Sequence, residues 1–78
     1  MANNLKSWKV VLGHKGGEDA YIFKAPRDKV GAEIWAENLL SPYPNADGVI
    51  HDRVVSVSHP SAKEIKQLKT IQRIEDNS

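Results

Sequence analysis

Three histidines, His14, His51 and His59, are the side chains of this 78-residue chain best suited to acid–base or metal chemistry. No two of them stand at a metal-ligand spacing such as H-x-x-x-H, and there is no cysteine to complete a thiolate or mixed site. His51 and Asp52 are neighbours, but adjacent residues on a strand face opposite ways, so they do not read as a catalytic dyad. The serines lack the G-x-S-x-G setting of an activated nucleophile, and a thiol nucleophile is excluded by composition. Glu33 and Glu37 fall four residues apart on one helical face, where carboxylates read as a solvated surface before they read as an acid–base pair. The sequence therefore predicts no enzyme, no catalytic residue, no metal and no cofactor.

A second candidate is the glycine-rich run "GHKGGEDA" (13–20). A phosphate loop joins a strand to a helix, because the helix N-terminus supplies free amides and positive dipole. Here the run joins two apolar stretches of strand character, lacks the Lys-Ser/Thr ending, and carries Glu18 and Asp19, which repel phosphate. It reads as a hairpin tip in which Gly13, Gly16 and Gly17 supply positive φ. His14 and Lys15 remain as contacts that an exposed tip offers to a partner.

A third candidate is cationic. Lys63, Lys66, Lys69 and Arg73 cluster on one side of a helical wheel, opposite Leu68, Ile71 and Ile74. Amphipathicity alone explains such a face, and four cations there would also supply a few phosphate contacts. Tyr21 and Phe23, at i and i+2 of a strand, have the spacing of base-stacking aromatics. No matching RNA-recognition string accompanies them, so they read as core.

These residues are held by five expected elements. "LKSWKVVL" (5–12) and "DAYIFKA" (19–25) alternate as strands and are rich in aromatic and β-branched residues. Pro26 ends the second. Asp28 caps a helix running to about Leu40, with Ala32, Trp35, Ala36, Leu39 and Leu40 on one apolar face and Gly31 bordering it. Val30 and Ile34 lie nearly opposite, where the sheet cannot bury them. "SPYPNADG" (41–48) is a turn-rich loop, and "RVVSVS" (53–58) a third strand. Ser61 to Glu64 is a capping box that opens a second helix. Ile65, Leu68, Ile71 and Ile74 recur every three residues; helix through them is the favoured reading, and a helix that stops near Lys69 followed by a strand over "TIQRI" (70–74) is the other. The order β-β-α-β-α predicts an α+β two-layer sandwich: a sheet of about three strands with helices packed on it, strand three running parallel to strand two.

The domain is expected to be single, spanning 1–78 with ends frayed near 1–4 and 76–78. Eleven basic and ten acidic residues leave a net charge of +1, which gives no global pull toward nucleic acid or membrane. Lack of cysteine and of a long apolar run suits a cytoplasmic protein with no membrane association. The sheet is apolar on both sides, through Trp8, Val10 and Leu12 on one and Val11 and Ile22 among the other set. In so small a chain that predicts cover from a homodimer or another partner. The layout of "SWKVVLGHKGGEDAYIFKAP", "GAEIWAENLL" and "RVVSVS" resembles that of many small phage-encoded or mobile-element proteins, which implies a modulator that binds a host protein or nucleic acid and alters its activity. The expected function is thus a protein-interaction module, with Val30, Ile34, Tyr43, His14 and Lys15 as contacts and no small-molecule substrate. The alternative is a nucleic-acid-binding accessory protein using Lys63, Lys66, Lys69 and Arg73.

Overall fold

The computed structural model describes residues 5–44 and 48–71. Strand β1 spans Leu5–His14, β2 Gly17–Pro26, helix α1 Lys29–Glu37, β3 His51–Ser58 and helix α2 Ala62–Gln67. The α+β reading and the order of elements hold. The sheet order is β2-β1-β3, with both pairings antiparallel. β3 therefore runs in the same direction as β2, as expected, but β1 lies between them. Connecting β2 to β3 through α1 carries the chain across the middle strand.

Hairpin register decides which face is inward. Trp8 stands opposite Phe23, Val10 opposite Tyr21 and Lys6 opposite Ala25, while β3 adds Val57 opposite Val10. Trp8, Val10, Leu12, Phe23, Ala25 and Val57 form one buried cluster with Ala32 and Ala36 of α1. Alanine at both helix positions lets the α1 backbone come down close to the strands. Trp35, Leu39 and Leu40 pack around the same cluster, as the helical wheel predicts. The helix itself is shorter than expected and ends at Glu37, with a turn over Asn38 and Leu39. Asp28 caps its start by accepting from the Gly31 amide at 3.0 Å. Gly31 is required by proximity: a methyl group there would lie 3.0 Å from both Asp28 Oδ1 and Pro26 Cβ.

The opposite face also holds a buried apolar side chain. Ile22 is only 2 % exposed. Lys9 is its neighbour on β1, and Lys9 Nζ reaches Glu64 of α2 at 2.7 Å. The capping box of α2 is present, with Ser61 Oγ accepting from the Glu64 amide and Glu64 Oε1 accepting from the Ser61 amide. The helix does not continue through Ile71, contrary to the favoured expectation. Leu68 turns to extended geometry, and residues 69–71 run beside β2. The Ile22 amide donates to the Lys69 carbonyl at 2.9 Å, and the Ile71 amide donates to the Ile22 carbonyl at 2.8 Å. The cause is the outer edge of β2. Its backbone groups need partners, and an extended segment supplies them where a helical one keeps its own amides and carbonyls paired internally. Residues 72–75, for which helix was also favoured, lie outside the described residues.

Candidate functional site

The expected hairpin tip is tighter than the sequence suggested. His14 and Gly17 pair, leaving only Lys15 and Gly16 as the connection. Of the three glycines expected to supply positive φ, only Gly17 does, at 153°. Gly13 is a strand residue, and the Arg53 guanidinium occupies the space beside it, 2.6 Å from where a Cβ would sit. That guanidinium donates to Asp52 at 2.8 Å, so the two adjacent charges of β3 satisfy each other.

On the α1-facing side of the same end, three strands bring together a cluster that no sequence spacing announced. His14 is opposite His51 in the β1–β3 pairing, and Asp19 is opposite Leu12 in the β1–β2 pairing. All three side chains thus share the face of Leu12. His51 Nε2 lies 2.9 Å from Asp19 Oδ2, and His14 Nε2 lies 3.3 Å from the same oxygen. Tyr21 meets the edge of the His51 ring at a centroid distance of 5.6 Å. His51 is buried and Asp19 half-buried. The register of a two-residue turn puts residue 14 diagonally across from residue 19, so His14–Asp19 was legible in principle. His51 was not, because it arrives through a long crossover.

The tautomers follow from the partners. An ionised carboxylate only accepts, so the hydrogen bond from His51 to Asp19 places a proton on His51 Nε2. His14 Nδ1 accepts from the Gly16 amide at 3.1 Å, which leaves the proton of the neutral ring on Nε2. No group of three His, Cys, Asp or Glu among the described residues is arranged to hold a metal ion. Two open hollows flank the approach to β3. One, of about 270 Å³, is lined by His14, Lys15, Gly48, Val49 and Ile50. The other, of similar volume, is lined by Leu40, Ser41, Pro42, Ile50, His51 and Asp52.

His59 stands apart at the far end of the sheet, stacked on Trp8 at 4.5 Å and accepting from Lys6 Nζ at 3.0 Å. Beneath it, Trp8 Nε1 donates to the Pro26 carbonyl at 2.8 Å.

The expected interaction residues remain on the surface. Val30 is 66 % exposed, Ile34 58 % and Tyr43 74 %. Val30 and Ile34 are one helical turn apart on α1, opposite the buried Ala32 and Ala36, and Glu33 and Glu37 lie exposed beside them. Lys15 is exposed at the tip, while His14 is half-buried in the cluster.

The four expected cations do not all lie on α2. With α2 ending at Gln67, Lys63 and Lys66 lie on the helix and Lys69 on the extended segment that follows. Arg73 lies outside the described residues. Tyr21 and Phe23 face α1 rather than an open platform, and Phe23 is buried. No helix among the described residues is long and apolar enough to cross a membrane. Comparison of the chain with protein-family models, curated proteins and solved structures yields no match.

Proposed function

We propose that the chain is a non-enzymatic protein-interaction module that docks through the outer ridge of α1. One observation carries this reading: Val30 and Ile34 project from the side of α1 that its own sheet leaves uncovered, although the helix has Ala32 and Ala36 seated at no measurable exposure beneath. Keeping two β-branched aliphatic residues in water forgoes the favourable transfer of their surface to an apolar environment, and a docked partner would recover it. Glu33 and Glu37 border the ridge, so the surface best fitted to it is an apolar groove with a basic rim. A modulator of a larger protein, the role implied by the chain's layout, is consistent with so small a docking face.

The test is site-specific photo-crosslinking. A benzophenone side chain replaces Ile34 in one variant and Lys66 in another, both in cells that make the protein. A discrete protein adduct from position 34 and none from position 66 is the expected result. An adduct at twice the chain's mass would identify a second copy as the partner. Adducts to nucleic acid from position 66, with position 34 silent, would overturn the proposal and favour the basic-residue alternative. The paired substitutions Val30→Ser and Ile34→Ser should remove the adduct formed from a benzophenone placed at Glu37, without lowering thermal stability by more than a few degrees.

A further inference from the structure

We propose that His14 is a proton-operated switch of the hairpin tip, holding the Gly16 amide when neutral and releasing it when protonated. The geometry leaves this ring no other way to take up a proton. Its Nε2 lies within ion-pair reach of Asp19 Oδ2, 3.3 Å away. The one vacant valence is Nδ1, and Nδ1 is the acceptor for the Gly16 amide at 3.1 Å. A proton added there places N–H against N–H, turning a hydrogen bond into a repulsive donor–donor contact. The other half of the contact responds in the opposite sense. Nε2–H to a carboxylate strengthens when the ring carries charge, so the imidazolium stays on Asp19. The ring is therefore the fixed point and the two-residue connection Lys15–Gly16 is the part that moves.

Among the described residues, few charges surround the ring. From β2 the cluster is faced by Asp19 and Tyr21; from β3 by His51; from β1 and the tip by His14 itself, with Lys15 exposed beyond it. Glu18 is exposed on the tip, Asp52 is paired with Arg53, and Gly48, Val49 and Ile50 bring no charge. The His14 and His51 rings are 5.7 Å apart over one carboxylate. A second proton on His51 would set two cations against a single anion in a half-buried site, so the first proton opposes the second. His14 and Lys15 also line the hollow with Gly48, Val49 and Ile50. Release of Gly16 consequently reshapes that hollow and redirects Lys15. This would make any contact at the tip depend on the protonation of His14.

The experiment is a pH titration of the ¹⁵N-labelled full chain from pH 8 to pH 5, following the His14 ring nitrogens and the Gly16 amide together. The expected result is that the Gly16 amide shift moves with the His14 midpoint. Its exchange protection, corrected for intrinsic rates, should fall at least about fivefold on the acid side. In His14→Asn the side-chain carbonyl can still accept from the amide two residues on, but it does not titrate. Gly16 should then be flat across the range. In Asp19→Asn, Gly16 should still follow the His14 midpoint. A Gly16 amide that is flat through the wild-type His14 titration would overturn the proposal. So would one that follows the His51 or His59 midpoint, or one that titrates in His14→Asn as it does in the wild type.

Discussion

Single residues in this protein act by holding an element to its neighbour, and Trp8 is the strongest case. It is 1 % exposed, carries a stacked His59 on one side, and donates from its indole to the Pro26 carbonyl where β2 ends and the chain turns toward α1. Replacement by phenylalanine keeps an aromatic ring in the core but removes the donor and part of the volume. A lost hydrogen bond to a half-buried carbonyl together with a small cavity is worth about 2–3 kcal/mol. In a domain of this size that lowers the melting temperature by roughly 10–20 °C. Calorimetry on Trp8→Phe should find a drop of that order; a change under about 0.5 kcal/mol would mean that Pro26 is not anchored through the indole. The sequence marked Trp8 as an apolar strand residue. It did not reveal the hydrogen bond, because the acceptor lies 18 positions away and is fixed only by the register of the hairpin. Histidines at 14, 51 and 59 were equally visible as letters. The partners of His51 and His59 are set by strand pairing rather than by sequence spacing, so their roles surfaced only with the fold, whereas His14 also meets Gly16 two positions on.

At the scale of elements, α2 shows how little a short helix needs from the core when its ends are well held. It spans six residues, none of them buried. Its capping box satisfies two end amides, and Glu64 serves both that box and the ion pair with Lys9. The Lys9 ammonium first, and then the Ser61 amide, hold the Glu64 carboxyl below the ordinary value of about 4.5. A carboxylate depressed on folding stabilises the native state above its unfolded value, and that contribution is lost as pH falls through the folded value. Glu64→Gln should therefore lower the urea midpoint at pH 7, and the gap from wild type should close as pH drops below about 4.5. An equal gap at pH 7 and pH 2.5 would show that packing, not charge, distinguishes the two. Ser61→Ala should cost about 1 kcal/mol at every pH, as loss of a helix cap does. The capping box was readable directly from "SAKE", since its chemistry is local. The end of the helix was not. A repeat of three fits a drifting helical stripe as well as a turn followed by an extended segment, and the deciding fact is the backbone of Ile22 on another strand. The pairing of Ile22 was illegible for the same reason: the groups that meet its backbone lie more than forty positions later.

Across the whole molecule, charge is dispersed rather than gathered. With eleven basic and ten acidic residues, the structure uses several as local pairs, Lys9 with Glu64 and Arg53 with Asp52 among them. Lys63 and Lys66 share α2, but the helix stops before Lys69, so the described surface does not build the four-cation stripe that the helical wheel suggested. Affinity for nucleic acid rests on phosphates neutralised, with the logarithm of binding falling by about 0.9 for each contact per decade of salt on duplex DNA. Two lysines on one helix support a slope near −2 at most. The prediction is that a fluorescent duplex shows no retention at 150 mM salt, and at 20 mM only weak binding with a slope no steeper than about −2. Lys63→Glu with Lys66→Glu should abolish what remains. A slope of −4 or beyond, with tight binding at 150 mM, would require cations converging from elsewhere on the surface. It would also make Val30 and Ile34 incidental, because the free energy of association would then come from counterion release rather than from covering an apolar ridge. The two readings are thus separable by the steepness of the salt dependence: burial of Val30 and Ile34 is strengthened slightly or left unchanged as salt rises and the rim charges lose only modestly, whereas phosphate contacts are lost steeply.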